Sequence, residues 1–138
     1  MAGYSGTPLA KKLGIKNGAK VMLINAPDYY TQLFTDMPAG VHFIDDADVE
    51  KDVIHFFTKQ SNEYLTRLPQ LIGQITQNGM IWVSWPKKSS KVPTDITEHI
   101  IRNFAIEIGL VDIKVCAVDQ IWSGLKLVIP VKSRKSTR

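Results

Sequence analysis

Residues 53–85 read VIHFFTKQSNEYLTRLPQLIGQITQNGMIWVSW, and this stretch decides the fold. It opens on the apolar run Val53 to Phe57 and closes on Met80 to Trp85, each of strand length and apolar enough to be buried on both faces. Between them Ser61 caps a helix in which Leu65, Leu68, Leu71, Ile72 and Ile75 recur at helical spacing, with Asn78-Gly79 as its stop. Pro69 falls inside that pattern and predicts a kink or a break. Strand, helix and strand in this order make a parallel unit with a right-handed crossover.

The same alternation continues outward. Towards the N-terminus, Val21 to Ile24 is a further buried run and Val41 to Ile44 a shorter one. Between them Asp28 can cap a helix through Tyr29, Leu33 and Phe34. Ahead of them Thr7 and Pro8 start a short helix, Leu9 to Leu13, that Gly14 closes; residues 1–18 form this arm and helix. Towards the C-terminus, Asp95-Ile96-Thr97-Glu98 has the spacing of a capping box, and Ile96, Ile100, Phe104 and Ile108 line one face of the helix before Gly109. Two last strands, Asp112 to Val118 and Leu125 to Ile129, are joined by a link too short for a crossover, so they are antiparallel. With the six strands labelled a to f in chain order, the expected architecture is α/β, a three-layer Rossmann-like and mostly parallel sheet in the order b-a-c-d-f-e. It closes in a C-terminal antiparallel hairpin.

At 138 residues the chain suits one domain, here residues 1–131. The net charge of +4 is set by its end: Lys132, Arg134, Lys135 and Arg138 are four of the 17 basic residues, which leaves 13 against 13 acidic ones in the body. Residues 132–138 read as a disordered basic tail, and nucleic-acid binding, resting on that tail alone, is disfavoured. No secretory signal opens the chain, no stretch approaches a membrane span, and the single thiol, Cys116, sits in a strand pattern, so a cytoplasmic protein is expected.

In open α/β sheets ligands bind beyond the carboxyl ends of the strands, where the strand order reverses, here between strands a and c. The candidates delivered to that rim are Asn25 and Asp28 after strand a, Asp45 after b, Trp85, Lys87 and Lys88 after d, and Asp119 and Trp122 after e. Thr58 and Lys59 follow strand c. Lys87, Lys88 and Lys91, with Ser89, Ser90 and the N-terminus of the Asp95 helix, outline a cradle for a small anion. No hydrolase elbow, phosphate loop or metal-ligand spacing occurs, so no metal and no catalytic residue is assigned.

This layout is similar to the Rossmann-like methyltransferases, whose sheets also end in an antiparallel hairpin. Their first strand ends in a glycine-rich turn and an acid after the second strand bonds the ribose. Asp45, twenty residues after Asn25, suits that acid, whereas Asn25-Ala26-Pro27-Asp28-Tyr29-Tyr30 holds no glycine and Pro27 removes a backbone donor. S-adenosylmethionine is therefore carried as the alternative cofactor, with no cofactor as the main expectation.

A second resemblance rests on longer motifs: Ala2 to Leu9 with Lys12-Leu13-Gly14-Ile15, Trp85-Pro86-Lys87-Lys88, Val92 to Glu98, Leu110-Val111-Asp112, Val115 to Asp119, and Trp122 to Lys126. Together they resemble the bacterial family called domain of unknown function 3052, with Gln120-Ile121 where an acid and a valine are expected. The resemblance implies a small bacterial cytoplasmic protein and brings no activity with it. The sequence thus favours a binding or regulatory module with a small anion or a protein at the sheet rim; the alternative is a methyltransferase-like enzyme with a degenerate cofactor turn.

Overall fold

A computed structural model of the protein describes residues 7–135. Its sheet runs β2-β1-β3-β4-β6-β5, the strand order expected from the sequence. The strands are β1 Lys20–Ile24, β2 His42–Phe43, β3 Lys51–Phe57, β4 Ile75–Pro86, β5 Val111–Ala117 and β6 Trp122–Val128. β2, β1, β3 and β4 are parallel, while β6 is antiparallel to both β4 and β5. Among the described residues three α-helices cover the sheet: α1 Leu9–Leu13 on one face, α2 Ser61–Leu71 and α3 Glu98–Glu107 on the other.

Alternation along the strands builds two cores. On the α2–α3 face, Ile54, Phe56, Ile81, Val83, Leu125 and Leu127 meet Tyr64, Leu68, Leu71, Ile101 and Ala105. On the α1 face, Val21, Val53 and Trp82 meet Ala10 and Leu13, and the Trp82 indole donates to the Leu13 carbonyl at 2.8 Å. Each fully buried large apolar side chain contributes roughly 1.5–3 kcal/mol.

Several elements differ from the sequence reading, each for a visible reason. α2 stops at Leu71, two residues past Pro69, and is followed by a 3-10 turn at Ile72–Gln74. Ile75, whose spacing fits the helix, instead opens β4 opposite the buried Lys51. The ladder then jumps from Lys51↔Ile75 to Val53↔Met80. Gly79 serves this irregularity, since a Cβ there would meet Thr76 at 3.0 Å.

The helix expected after Asp28 shrinks to a 3-10 turn, Tyr30–Leu33, because Tyr30 turns into the core; Asp28 is exposed and caps nothing. β2 is only two residues long and exposed. α1 begins one residue after Pro8, with no side-chain cap. α3 is capped by Thr97, whose Oγ1 accepts from the Ile100 amide at 3.2 Å. Asp95 serves the other helix: its carboxylate accepts from the Ser61 amide at 2.7 Å.

Val131–Ser133 forms a 3-10 turn, Arg134 Nε donates to the Ile129 carbonyl, and the Lys135 amide donates to Gln77 on β4. Residues 136–138 and the arm residues Met1 to Gly6 lie outside the described residues.

Candidate functional site

The strand order reverses between β1 and β3, and a cleft of about 470 Å³ opens there at the carboxyl edge. Asn25 leaves β1 in the left-handed conformation, φ 57°, which asparagine tolerates better than most side chains. Its amide crosses the switch point, donating to the Phe57 carbonyl at 3.0 Å and to Glu63 Oε2 at 2.9 Å. The other Glu63 oxygen accepts from Thr58 Oγ1 at 2.6 Å. Thr58 is itself fixed through its amide, which donates to the Ser84 carbonyl on β4. Glu63 stands in the first turn of α2, where the helix dipole favours a carboxylate.

The cleft's charge is mixed. Glu63 supplies the acid, Lys59 the cation, Asn25, Thr58 and Gln60 neutral polar groups, and Pro27, Phe57 and Trp122 the apolar wall. That wall rests on a cluster of Tyr30, Phe57, Val118 and Trp122 in which the Phe57 and Trp122 rings meet at 90° with centroids 5.0 Å apart.

Beneath it lies a polar chain that does not reach solvent. His55 Nδ1 is 2.9 Å from the Tyr30 hydroxyl and His55 Nε2 is 2.7 Å from Ser84 Oγ. A neutral imidazole has one donor and one acceptor nitrogen, so one hydroxyl gives a proton to the ring and the other takes one. Burial holds the ring neutral, with its pKa lowered to about 3, and raises that of the Tyr30 hydroxyl.

Asp119 ties the hairpin to the first strand's turn. Its Oδ1 accepts from the amides of Ile121 and Trp122 at 2.8 and 2.7 Å, and its Oδ2 accepts from the Tyr29 hydroxyl at 2.8 Å. Burial, and then the bond to Asp119, raise the Tyr29 pKa.

Of the residues that the sequence delivers to the rim, Asn25, Thr58, Lys59 and Trp122 line the cleft. Asp119 stands behind it as a clamp. Asp28 and Asp45 are exposed and outside it, and Trp85 is buried in the α2–α3 core. The lysine loop is a 3-10 turn, Lys88–Ser90, held by Ser90 Oγ donating to the Lys87 carbonyl, and neither Lys87 nor Lys88 lines the cleft. Gln60 and Glu63 escaped the sequence reading, although Glu63 sits two residues into a helix that starts at the switch-point edge. Among the described residues no group of three or more His, Cys, Asp or Glu could hold a metal ion, and no helix is long and apolar enough to cross a membrane.

No protein-family model matches the chain, and no curated protein does. Solved structures do. A protein assigned as a type 11 methyltransferase from Sulfolobus solfataricus superposes with a TM-score of 0.62 at 12% identity, over 94% of each chain. Aeropyrum pernix fibrillarin, with S-adenosyl-L-methionine natively bound, gives 0.58 at 14% identity over 87% of this chain and 73% of its own. Precorrin-6y C5,15-methyltransferase from Geobacter metallireducens gives 0.57 at 8% identity over 88% and 86%. At these identities the likeness establishes the fold: a mixed α/β sheet of the Rossmann-like methyltransferase type with an antiparallel C-terminal hairpin.

Proposed function

We propose that the chain is a methyltransferase-type enzyme whose switch-point cleft takes S-adenosylmethionine. The observation that carries this reading is the placement of Glu63, Lys59 and Trp122 around one cleft at the reversal point of a methyltransferase-type sheet. The ligand pairs a cationic sulfonium and ammonium with a carboxylate and an aromatic base. Glu63 offers a counter-charge to the cations, Lys59 to the carboxylate, and the Phe57–Trp122 wall a surface for the base. A volume of about 470 Å³ lies within the range of small-molecule pockets, roughly 300–1,000 Å³. Structures of the same fold that hold this cofactor support the assignment.

One observation favours the second reading, a binding module that holds a small polar ligand without transferring a group. The turn after β1 has no glycine, and the Asn25 amide spans the gap between strand ends, where cofactor turns of this class bring backbone close to the ligand. Asp45, the expected ribose acid, stands outside the cleft because β2 is cut to two residues.

Isothermal titration of the full chain with S-adenosylmethionine and S-adenosylhomocysteine tests both. The enzyme reading expects saturable micromolar binding, weakened at least tenfold in Glu63→Gln, and conversion of the first compound to the second in the presence of a small-molecule extract. Binding without conversion supports the module; no binding of either compound sinks the S-adenosyl assignment.

A further inference from the structure

The balanced charge of residues 1–131 hides a segregation that the fold creates. Leu125 and Leu127 enter the α2–α3 core, so Lys126 between them faces the opposite side of the sheet. Its cross-strand partner there is Lys114. α3 packs on the hairpin from its own side, whereas α1 lies over β1, β3 and β4 with Cys116 of β5 at the edge of its cluster, which leaves Lys114 exposed and Lys126 half-buried outside that core. Lys12 Nζ reaches over from α1 to the Ala117 carbonyl, 3.5 Å away. Lys16 shares a groove with Asn78, and Asn78 accepts a hydrogen bond from Arg134 of the C-terminal turn at 3.4 Å.

Like charges directly opposite on neighbouring strands destabilise a sheet. Asp112 points to the other face, where it bonds Arg102, and Asp52, in the Lys16 groove, accepts from the Lys20 amide. Among the described residues no carboxylate lies within ion-pair distance of Lys16, Lys114, Lys126 or Arg134. Partial burial, and then the charges of Lys114 and Lys16, lower the Lys126 pKa.

We propose that this lysine face is a docking surface for the phosphate backbone of a nucleic acid. Five cations on α1, the following loop, two strands and the C-terminal turn form an extended field rather than a pocket. A chain with a regular negative charge meets several of them at once, and lysines bind phosphate as point charges. Contacts from these cations to phosphate oxygens carry no sequence information, so binding is independent of sequence. The tail alone gave only a weak case for such a partner; the folded hairpin supplies the second half of the surface.

Fluorescence anisotropy of the full chain with a labelled mixed-sequence 20-mer, single-stranded and duplex, tests the proposal over a salt series. Lys114→Gln/Lys126→Gln is expected to weaken binding at least fivefold and to reduce the log–log salt slope by about 1.4 to 1.8, two phosphate contacts at roughly 0.7–0.9 each. The pair of substitutions relieves repulsion, so the melting temperature holds or rises. Lys87→Gln/Lys88→Gln, just past the carboxyl end of β4, leaves affinity unchanged. Equal binding by parent and Lys114→Gln/Lys126→Gln overturns the proposal. So does displacement by polyglutamate of equal charge as readily as by unlabelled oligonucleotide, which assigns the face to an acidic protein. Both readouts are independent of the Glu63 cleft.

Discussion

His55 shows what one residue does when the fold leaves it no water. A strand pattern alone makes it an interruption in Val53 to Phe57, more suited to packing than to chemistry. In place, it joins the Tyr30 and Ser84 hydroxyls and stacks on Phe57, with ring centroids 4.2 Å apart. With a pKa of about 3 in the folded chain against 6.5 in the open one, the unfolded state binds the extra proton first. Stability is therefore fully present above pH 6.5 and is lost as pH falls towards 3, by an amount on the order of a few kcal/mol. Urea denaturation at pH 7, 5.5 and 4 should show this slope. His55→Gln keeps an amide donor and acceptor for the two hydroxyls; it costs about 1–3 kcal/mol at pH 7 and flattens the slope. An unchanged slope in that variant would remove His55 as its source.

Elements were legible in the sequence to the extent that their signals are local. The runs Val21 to Ile24, Val53 to Phe57 and Met80 to Trp85 are strands because no helix satisfies so many adjacent apolar side chains, and the short link before Leu125 allowed only a hairpin. The cap at Asp95 misled because capping needs an acceptor near an amide, and tertiary structure can bring one from 34 residues away. Asp95→Ala should therefore act on α2 and Thr97→Ala on α3, each costing about 1 kcal/mol. Amide exchange separates them: the first variant speeds exchange at the start of α2 and leaves α3 protected, the second does the reverse. Faster exchange at the α3 start in Asp95→Ala would restore the local reading. The Asn25–Glu63–Thr58 network was illegible for the same reason, since it joins three elements whose edge positions only the assembled sheet defines.

At the scale of the molecule, strand order told where a cleft would open and that Asn25, Thr58, Lys59 and Trp122 would stand at it, but not Gln60 or Glu63, nor that Lys114 and Lys126 would face each other across the hairpin. It also did not show how the last third of the chain is held to the first. One contact does this at the rim: Asp119 shapes the hairpin turn with one oxygen and holds Tyr29, ninety residues earlier, with the other. The two roles are separable. Tyr29→Phe removes only the tie and should cost about 0.5–1.5 kcal/mol, whereas Asp119→Ala also frees two turn amides and should cost about 2–3 kcal/mol. The double variant should then lose less than the sum of the two, because the tie can be removed only once; a coupling of about 1 kcal/mol is expected from a denaturation cycle. Since Trp122 stands next to this clamp and lines the cleft, each variant should also loosen the cleft wall, read as a red shift in tryptophan emission at native conditions. Additive losses would show that the hydroxyl and the carboxylate do not act together, and would leave the hairpin held to the rim by the Tyr30–Phe57–Val118–Trp122 cluster and the Lys87 amide bond to the Ile121 carbonyl.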